Sequence, residues 1–336
     1  MDLVTGGTGI VGSRIIFDLL NQGKSVRALL RDEKSKVGLS KLFEHWLPGS
    51  KDLTQKIQWI EGDILDVESL LVAMEGVQNV YHVAAMVSFH RSDHQQMMKV
   101  NSEGTSNIVN TCLAMDIHKI CFVSSVAAIG RSKPGEVIHE EIMWKNSPLN
   151  SQYAISKYCA ERELWRGKEE GLNVCIVNPC IVVGPGNFPR SSMNIFHQAW
   201  KGMPFHTSGS NGFVGVNDVA QACIGLMDKE VFGERFVLCS ENLKYQEFFA
   251  KVSTALGKKP SSKTISKNML KLAWLVDSAL ERIGLRRSTL TRESIKSATN
   301  NVSYLGGKIT EHIDFTYTPI EKSIERTAQY FLAARK

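Results

Sequence analysis

Short apolar segments alternate with longer amphipathic segments along the first half of the chain. Residues 1–4 are just long enough for one buried strand, and Ile15, Ile16, Leu19 and Leu20 form one apolar face at helical spacing before Gly23 ends the pattern. A second apolar segment, residues 25–30, predicts the next strand. The start of the chain therefore predicts a complete β-α-β unit.

The same alternation continues further along the chain. The segments IQWIEGDILD, VQNVYHVAAMVSF and KICFVSSVAAIG predict three more strands, and helical patterns over residues 67–74 and 94–116 separate them. Strands that alternate with helices form a parallel, doubly wound sheet of the Rossmann α/β class. Because such sheets bind their ligands at the carboxyl ends of the strands, we expect functional residues just after these segments.

Four glycines crowd the first predicted turn, in the stretch MDLVTGGTGIVG. Gly6 suits a tight turn, Gly9 lets a pyrophosphate approach the backbone, and Gly12 lets the helix pack close to the strand. The N-terminus of that helix then points at the anion. A glycine motif alone is weak evidence, but inside a β-α-β unit it predicts a dinucleotide-binding site.

The end of the second strand indicates which dinucleotide binds. Enzymes that use NAD place an acidic residue there for the ribose hydroxyl, whereas this chain has Leu30 followed by Arg31. A guanidinium group binds the 2′-phosphate of NADP(H), which an acid would repel. We therefore expect NADP(H), with NAD less favoured. The alternative is that Arg31 is a solvated charge that pairs with Asp32 or Glu33.

Composition excludes several classes of partner. The 336 residues carry 40 Lys and Arg against 34 Asp and Glu, without a long run of one sign, so we expect no nucleic-acid partner. The seven cysteines lie mostly in apolar segments and include no CxxC pair, which predicts reduced residues in a cytoplasmic protein and no metal site. The first predicted strand begins at the start of the sequence, where a signal peptide would need a basic region followed by an apolar region, so we expect no signal peptide. Charges interrupt the amphipathic stretch 268–285, so we expect no membrane association.

The candidate chemistry lies in the stretch SQYAISKYCAERELW. Tyr153 and Lys157 are four residues apart on a predicted helix, so both side chains lie on one face. Ser124 and Ser125 end an earlier strand, and since adjacent strand residues face opposite sides, we assign the site to Ser125 and a structural role to Ser124. Free tyrosine holds its proton until about pH 10. A neighbouring ammonium group is therefore needed if Tyr153 is to transfer a proton near neutral pH.

These motifs resemble the short-chain dehydrogenase/reductase superfamily, in its extended, NAD-dependent epimerase/dehydratase branch. The family's TGxxGxxG matches residues 5–12, its catalytic serine matches Ser125, and its YxxxK matches Tyr153 with Lys157. The segments VRALLRD, EEIMW and ERELW are most similar to the subgroup of dihydroflavonol 4-reductases and 3β-hydroxysteroid dehydrogenases. The resemblance implies that Ser125 polarises a substrate carbonyl to which Tyr153 passes a proton. It also implies that Asn101 holds a water that connects Lys157 to solvent.

The resemblance further implies which residues contact cofactor and substrate. The expected cofactor residues lie around the glycine turn and the strand ends: Thr5, Gly6, Gly7, Thr8, Gly9, Ile10, Val11, Gly12, Arg31, Asp63, Ile64, Val83, Ala84, Ala85, Tyr153, Lys157, Pro179 and Ile181. The expected substrate pocket is largely apolar and is lined by Met86, Phe89, Ser125, Trp144 and Phe188. Residues 1–185 would form the Rossmann domain, to which residues 212–239 return. Residues 186–211 and 240–336 would form a smaller, mostly helical C-terminal substrate lobe.

Departures from the family pattern narrow the expected reaction. Val126 and Ala127 replace the Asp-Glu pair of the 4,6-dehydratases, and Asn211 and Gly215 stand where sugar epimerases usually carry an Arg and a His. The sequence therefore predicts an NAD(P)-dependent oxidoreductase, and more narrowly an NADPH-dependent carbonyl reductase or alcohol dehydrogenase for a small, largely apolar ketone or aldehyde. Two alternatives stay open: a nucleotide-sugar epimerase with tightly bound NAD, and a non-catalytic NADP sensor. Because dimers are frequent in this superfamily, the resemblance also favours a homodimer.

Overall fold

The computed structural model describes residues 1–130, 135–148, 150–186, 193–261, 263–282 and 291–335. The strands are β1 (Asp2–Thr5), β2 (Val26–Leu30), β3 (Gln58–Glu61), β4 (Asn79–His82), β5 (Lys119–Val123), β6 (Asn173–Pro179), β7 (Ile181–Val183), β8 (Phe205–His206), β9 (Ser210–Gly215), β10 (Glu234–Leu238), β11 (Glu241–Lys244) and β12 (Lys263–Thr264). The helices are α1 (Ile10–Asn21), α2 (Leu39–Trp46), α3 (Val67–Met74), α4 (His94–Met98), α5 (Gly104–Ala114), α6 (Gln152–Glu169), α7 (Met193–Lys201), α8 (Val216–Asp228), α9 (Tyr245–Ala255), α10 (Lys267–Arg282), α11 (Arg292–Thr299) and α12 (Ile320–Ala333).

The main sheet has seven strands in the order β10-β6-β5-β4-β1-β2-β3. All of its neighbouring strands run parallel. The chain moves outward from β1 to β3 and then crosses to β4, on the other side of β1. The crevice between β1 and β4 is therefore the topological switch point, where doubly wound sheets bind dinucleotides. The predicted Rossmann α/β fold is confirmed.

Alternate side chains of the central strands enter two cores, one on each face of the main sheet. In β5, Cys121 and Val123 pack into the core that α1, α2 and α8 cover. Ile120 and Phe122 of the same strand pack into the core that α3, α5 and α6 cover. Because both faces are buried, the strands need apolar residues at nearly every position. This requirement explains the continuous apolar segments of the sequence.

The helical segment predicted over residues 94–116 contains an irregular turn. The α-helical α4 and α5 are joined by a π-helical turn, Lys99–Glu103. A π turn inserts an extra residue into a helix, and such turns are frequent at functional sites. Here the turn carries Asn101, whose side chain is buried. Helical periodicity in the sequence does not reveal this insertion.

The second half of the chain adds a small three-stranded sheet, which packs on the core that α1, α2 and α8 cover. Strand β9 pairs in parallel with β7 and antiparallel with β11, while β10 returns to the edge of the main sheet beside β6. Helices α9 and α12 pack together, and Phe248 and Phe331 on them are buried in the core that also contains α1 and α8. Since this core continues from the Rossmann part into α9 and α12, the lobe boundaries expected near residues 186 and 240 stay a prediction.

Helix α10 covers most of the amphipathic stretch 268–285. Leu272 and Leu275 on this helix are exposed, whereas Leu270 and Asp277 are buried. Among the residues that the structure describes, none of the helices is long and apolar enough to cross a membrane.

Candidate active site

The backbone closes the glycine turn between β1 and α1. Gly6 has a left-handed φ of 68°, and its carbonyl accepts a hydrogen bond from the Gly9 N–H at 2.9 Å. A Cβ at Gly12 would lie 2.3 Å from the Gly6 carbonyl oxygen, and a Cβ at Gly7 would lie 2.6 Å from Ile16 Cδ1. Side chains at Gly7 or Gly12 would therefore push α1 away from the sheet.

Helix α1 presents an uncapped N-terminus beside this turn. Gly9 precedes the first helical residue, Ile10, and offers no side chain to cap the helix, and no acidic residue lies in the first turn. The first N–H groups of a helix have no partner within it, and the helix dipole makes this end positive. Gly9 is also exposed. The turn therefore fits the pyrophosphate of a dinucleotide, which such a helix end binds.

A buried hydrogen-bond chain links β1 to β4 under the turn. Thr5 Oγ1 accepts from the N–H groups of Val83 and Ala84 at 3.1 and 3.2 Å and lies 2.7 Å from His82 Nδ1. His82 Nε2 lies 3.0 Å from Thr105 Oγ1, and the Thr105 hydroxyl donates to the α4–α5 segment. Burial lowers the pKa of His82 to about 3, with a contribution from the Lys157 charge. His82 is therefore neutral and fixes the floor of the crevice.

The hydrogen-bond network gives Thr5 partners on and after β4 that the sequence did not suggest. Thr5 was expected to contact the cofactor, but its hydroxyl is directed at β4. Its contact with a cofactor stays a prediction. The spacing of Thr5, His82 and Thr105 along the sequence gives no signal for this network, because its members come from three separate elements.

Arg31 lies at the exposed tip of β2. Its guanidinium Nη1 is 4.0 Å from Asp63 Oδ2, and the Arg31 side chain is 66% exposed. The pairing with Asp32 or Glu33 that the sequence left open is not what the structure gives, since Asp32 accepts from the Lys34 N–H and Glu33 pairs with Lys36. Arg31 is thus turned toward the end of β3. The Arg31 side chain is solvent-exposed, and the contact expected between Arg31 and a 2′-phosphate stays a prediction.

The other expected cofactor residues follow strand ends at the same edge of the fold. Asp63 and Ile64 follow β3, residues 83–85 follow β4, Pro179 ends β6, and Ile181 begins β7. The carboxyl ends of parallel strands meet at one edge. The structure therefore brings these residues together along the crevice, and their contacts with a cofactor stay a prediction.

Ser125, Tyr153 and Lys157 converge at this edge. Ser125 follows β5, and the other two residues lie one turn apart on α6. The Ser125 side chain hydrogen-bonds with the Tyr153 phenol, which lowers the pKa of that phenol, but burial has the larger effect and the pKa of Tyr153 is raised. Ser151 begins α6 by accepting a hydrogen bond from the Ala154 N–H at 3.0 Å. This cap fixes the first turn of the helix, from which Tyr153 projects.

Lys157 is buried, and a backbone carbonyl and an aromatic ring contact its ammonium group. Its Nζ donates to the Val123 carbonyl at 3.0 Å and lies 4.1 Å from the centre of the Phe122 ring. Burial lowers the pKa of Lys157 to about 7, although the carboxylate of Glu161 opposes this shift. The ammonium group is therefore easily discharged near neutral pH.

Ser124 and Ser125 have separate environments. The Ser124 hydroxyl donates to Glu161 Oε1 at 2.5 Å. Ser125 Oγ accepts from the Ala127 N–H at 3.2 Å, so its hydroxyl hydrogen can be donated elsewhere. The environments match the structural role assigned to Ser124, while the catalytic role of Ser125 stays a prediction.

Asn101 holds the segment after β4 in place. Its Nδ2 donates to the Met86 carbonyl at 2.9 Å and to Ser156 Oγ at 2.9 Å, and its Oδ1 accepts from the Met86 N–H at 2.7 Å. Both amide hydrogens are thus used inside the protein. The water-holding role expected for Asn101 stays a prediction, but the structure gives this side chain a clear positioning role.

The expected substrate residues are only partly brought together. Phe89 is 36% exposed, and its ring centre lies 6.2 Å from that of Tyr153 in an edge-on arrangement. Met86 is half-buried on the same segment. Trp144 instead stacks on Tyr158 at 4.3 Å and, with Ile155, lines a cavity of about 410 Å³. Phe188 lies outside the described residues.

Asn211 stands where sugar epimerases usually carry an arginine, and its side-chain amide is hydrogen-bonded within the protein. Asn211 Nδ2 donates to the Tyr245 hydroxyl at 3.1 Å, and Asn211 Oδ1 accepts from the Gly212 N–H at 2.9 Å. Gly215 precedes α8, and a Cβ there would lie 2.5 Å from Ser323 Oγ. Neither residue supplies a cation for a diphosphate.

Sequence comparison with known families agrees with this geometry. Residues 3–239 match the NAD dependent epimerase/dehydratase family, a span that includes the glycine turn, Ser125, Tyr153 and Lys157. The chain belongs to this family. It is an NAD(P)-dependent oxidoreductase with an NAD(P)-binding Rossmann fold, as the sequence predicted.

Individual relatives cover nearly the whole chain. A candidate dihydroflavonol 4-reductase from Synechocystis sp. is 28% identical over 98% of this chain and 93% of its own length. A 3β-hydroxysteroid-dehydrogenase/decarboxylase of Arabidopsis thaliana is 22% identical over 98% of this chain and 79% of its own length. The crystal structure of a UDP-glucose 4-epimerase from Thermotoga maritima, with UDP-glucose, has a TM-score of 0.78, 19% identity and full coverage of both chains. The last likeness shows a common fold.

Proposed function

We propose that this protein uses NADPH to reduce a small, largely apolar ketone or aldehyde, through Ser125, Tyr153 and Lys157. The observation that carries the proposal is the convergence of these three side chains at the carboxyl edge of the sheet, beside an open, glycine-lined helix N-terminus. The relatives named for dihydroflavonol and hydroxysteroid reactions support a reductase of ring-containing substrates.

Each residue has a distinct task in the proposed reaction. The Ser125 hydroxyl donates a hydrogen bond to the substrate carbonyl oxygen, and the Tyr153 phenol donates the proton that the oxygen receives. The charge on Lys157, one helical turn away, stabilises the phenolate that Tyr153 leaves behind. NADPH, when bound, supplies the hydride. Phe89 and Met86 place apolar surface beside Tyr153, where the carbonyl would be held.

The preference for NADPH rests on the tip of β2. Arg31 is exposed there and lies 4.0 Å from Asp63, a distance at which the ion pair is weak. Its guanidinium group can exchange this contact for a charge-assisted bond to a 2′-phosphate. We therefore expect NADPH to bind more tightly than NADH.

An apolar substrate is favoured by the residues around Tyr153. Phe89 offers a partly exposed ring beside the phenol, and Met86 lies on the same segment. The lobe expected from residues 186–211 and 240–336 would complete the pocket.

The cysteines of the described residues are free, which agrees with the proposed location in the reducing cytoplasm. We also infer a homodimer, as the family pattern implies.

The sugar epimerase is the second candidate, because its fold is shared over the whole length of the chain. Against it stands the satisfied amide of Asn211 at the position of the diphosphate-binding arginine. Two unpaired negative charges in an apolar lobe would be strongly unfavourable. A sensor without catalysis would not need the Ser125–Tyr153 contact.

The test is an NADPH-oxidation screen over hydrophobic ketones and aldehydes, run beside calorimetry with UDP- and GDP-sugars and an assay of the purified protein for bound NAD. We expect measurable reduction, no sugar-nucleotide binding at millimolar concentrations, and no resident cofactor. Micromolar binding of a UDP-sugar with NAD released on denaturation would replace the reductase by the epimerase. Cofactor binding with no turnover of any substrate would favour the sensor.

A further inference from the structure

Glu161 is a fully buried acid behind the proposed catalytic helix face. It lies one turn after Lys157 on α6 and is 1% exposed. Burying a carboxylate is costly unless hydrogen bonds or opposite charges compensate it. A position four residues after a lysine places its charge on the same helix face. The burial of Glu161 therefore requires partners that compensate its charge.

Three donors hold the Glu161 carboxylate. Ser124 Oγ and Asn178 Nδ2 both donate to Oε1 at 2.5 Å, and Arg235 Nη1 lies 3.3 Å from Oε2. These donors come from the end of β5, from β6 and from β10, so the carboxylate is fixed to the main sheet. Three donors on two oxygens suit the anion.

Arg235 contacts this anion through one nitrogen only, because its other donors have other acceptors. Its Nε and Nη2 donate to the Glu140 carbonyl at 2.9 and 2.6 Å, and Nη2 also donates to the Ile142 carbonyl at 2.9 Å. The Glu140 carboxylate in turn accepts from the Val237 N–H at 2.8 Å. The guanidinium group is thus shared between the carboxylate and backbone carbonyls. The carboxylate lies one helical turn after Lys157 on α6.

The groups that face Lys157 show why this charge matters. From β4 comes His82, which is neutral because burial holds its pKa at about 3. From α6 come Tyr153, whose raised pKa keeps it protonated, and Glu161. Arg235 of β10 lies beyond Glu161. Glu161 is therefore the acid that opposes the discharge of Lys157 by burial.

We infer that Glu161 is a positioning residue for the proposed reaction, which keeps Lys157 charged through a buried carboxylate anchored to Ser124, Asn178 and Arg235. The inference rests on the proposed function, because it gives Glu161 its task through Lys157. Ser124 and Asn178 then serve the site indirectly, since they fix the place of the carboxylate. The arrangement links the segment around Glu140, on the far side of Arg235, to the catalytic helix.

The experiment compares Glu161→Gln with Glu163→Gln in the full-length protein. Glutamine keeps the size of the side chain and an oxygen that accepts from Ser124 and Asn178, but it removes the charge. Glu163 lies on the same helix, is half-buried, pairs with Arg166 at 3.1 Å and accepts a hydrogen bond from Ser106 at 3.0 Å, so its variant is the matched control. The primary readout is the pH dependence of kcat/KM for carbonyl reduction with NADPH, accompanied by melting temperatures.

We expect the alkaline limb of the profile to move to lower pH by about one unit in Glu161→Gln, because Lys157 then loses its proton earlier. The limb should stay in place in Glu163→Gln. Glu161→Asp, which retains the charge, should restore the limb to within about 0.3 pH unit of the original protein. A lower rate and melting temperature with an unmoved limb would show a structural role and overturn the inference. A limb displaced by a full pH unit in Glu161→Asp would also overturn the inference. If Glu161→Gln does not fold, the profile of Glu161→Asp provides the test.

A second readout separates this inference from the proposed function. Lysine side-chain NMR on protein labelled at the lysine ε-carbon and ζ-nitrogen follows the Lys157 charge without turnover, with Lys157→Arg to assign the signal. We expect the titration midpoint of Lys157 to fall in Glu161→Gln and to stay constant in Glu163→Gln. If no carbonyl compound is reduced, the proposed function fails while this titration still tests Glu161. An unchanged midpoint in Glu161→Gln overturns the inference even in an active reductase.

Discussion

Tyr153 and Lys157 lie one turn apart on α6, and burial shifts their pKa values in opposite directions. It raises the pKa of the Tyr153 phenol and lowers the pKa of the Lys157 ammonium group to about 7. Both changes favour the neutral forms. In the proposed mechanism, the charge on Lys157 therefore has to offset the effect of burial on the Tyr153 phenol.

Replacing Tyr153 by Phe removes the proposed proton donor and leaves the ring in place. We expect turnover to fall by roughly a hundredfold to ten-thousandfold, with the dissociation constant of NADPH nearly unchanged. Steady-state kinetics and fluorescence titration with NADPH measure the two quantities. Tyr158→Phe is the matched control, since Tyr158 lies on the same helix but stacks on Trp144. Near-normal turnover in Tyr153→Phe would remove Tyr153 from the mechanism.

Arg31→Ala tests the cofactor preference. Loss of a charge-assisted hydrogen bond costs about 1.5 to 3 kcal/mol, which corresponds to a roughly tenfold to more than hundredfold weaker binding of NADPH. Binding of NADH, which has no 2′-phosphate, should change little. Lys36→Ala is the control, because the Lys36 ammonium group already pairs with Glu33. If the ratio of the two dissociation constants is the same before and after the change, Arg31 does not select the cofactor.

His82 should make the fold sensitive to acid. The pKa of His82 is about 3 in the folded protein against 6.5 for the free side chain. Between these values the unfolded chain binds a proton that the folded protein does not, so stability falls as pH decreases from about 6.5 toward 3. The loss for this group reaches at most about 5 kcal/mol. Urea unfolding at a series of pH values measures it.

The matched variant for this measurement is His82→Gln, which can still hydrogen-bond with Thr5 or Thr105 but does not titrate. It should be less stable near pH 7, and its stability should depend less steeply on pH between about 6.5 and 4. Parallel pH profiles for the two proteins would mean that the acid sensitivity comes from other groups.

Gly12→Ala should disturb the glycine turn through a single methyl group. The new Cβ would lie 2.3 Å from the Gly6 carbonyl oxygen, so either α1 or the turn must move. Overpacking of this kind costs about 1 to 3 kcal/mol, and the displaced helix end should also bind NADPH less tightly. Gly307→Ala is the control, since a Cβ there meets no atom within 4 Å. Equal unfolding free energies for the two variants would show that close packing at Gly12 is dispensable.

The sequence was informative where its pattern is local. The glycine turn and the alternation of strands and helices predicted the main sheet, because both follow from the order of residues along one β-α-β unit after another. The π turn at Asn101 and the anchoring of Glu161 by Arg235 could not be predicted, because they depend on contacts between residues far apart in the chain. The same holds for the stacking of Trp144 on Tyr158, while the place of Trp144 in the substrate pocket stays a prediction.

Phe89 allows the expected substrate class to be tested through one side chain. Its ring is 36% exposed beside Tyr153, so an apolar substrate whose carbonyl meets the phenol can cover that ring. Covering about 50 Å² of apolar surface at about 25 cal/mol per Å² contributes roughly 1 kcal/mol. Phe89→Ala should therefore raise the KM for a hydrophobic ketone by roughly five- to tenfold and change kcat much less. A small polar aldehyde, which cannot reach the ring, should show no such change.

Phe205→Ala provides the control for that variant, because Phe205 has the same exposed fraction, 36%, but lies on β8. Steady-state kinetics with a series of ketones of increasing apolar area gives the measurement. The ratio of KM values between Phe89→Ala and the original protein should grow with the area of the ketone, since each added ring surface loses its partner. A ratio that stays constant across the series would mean that the substrate lies elsewhere in the crevice, away from Phe89.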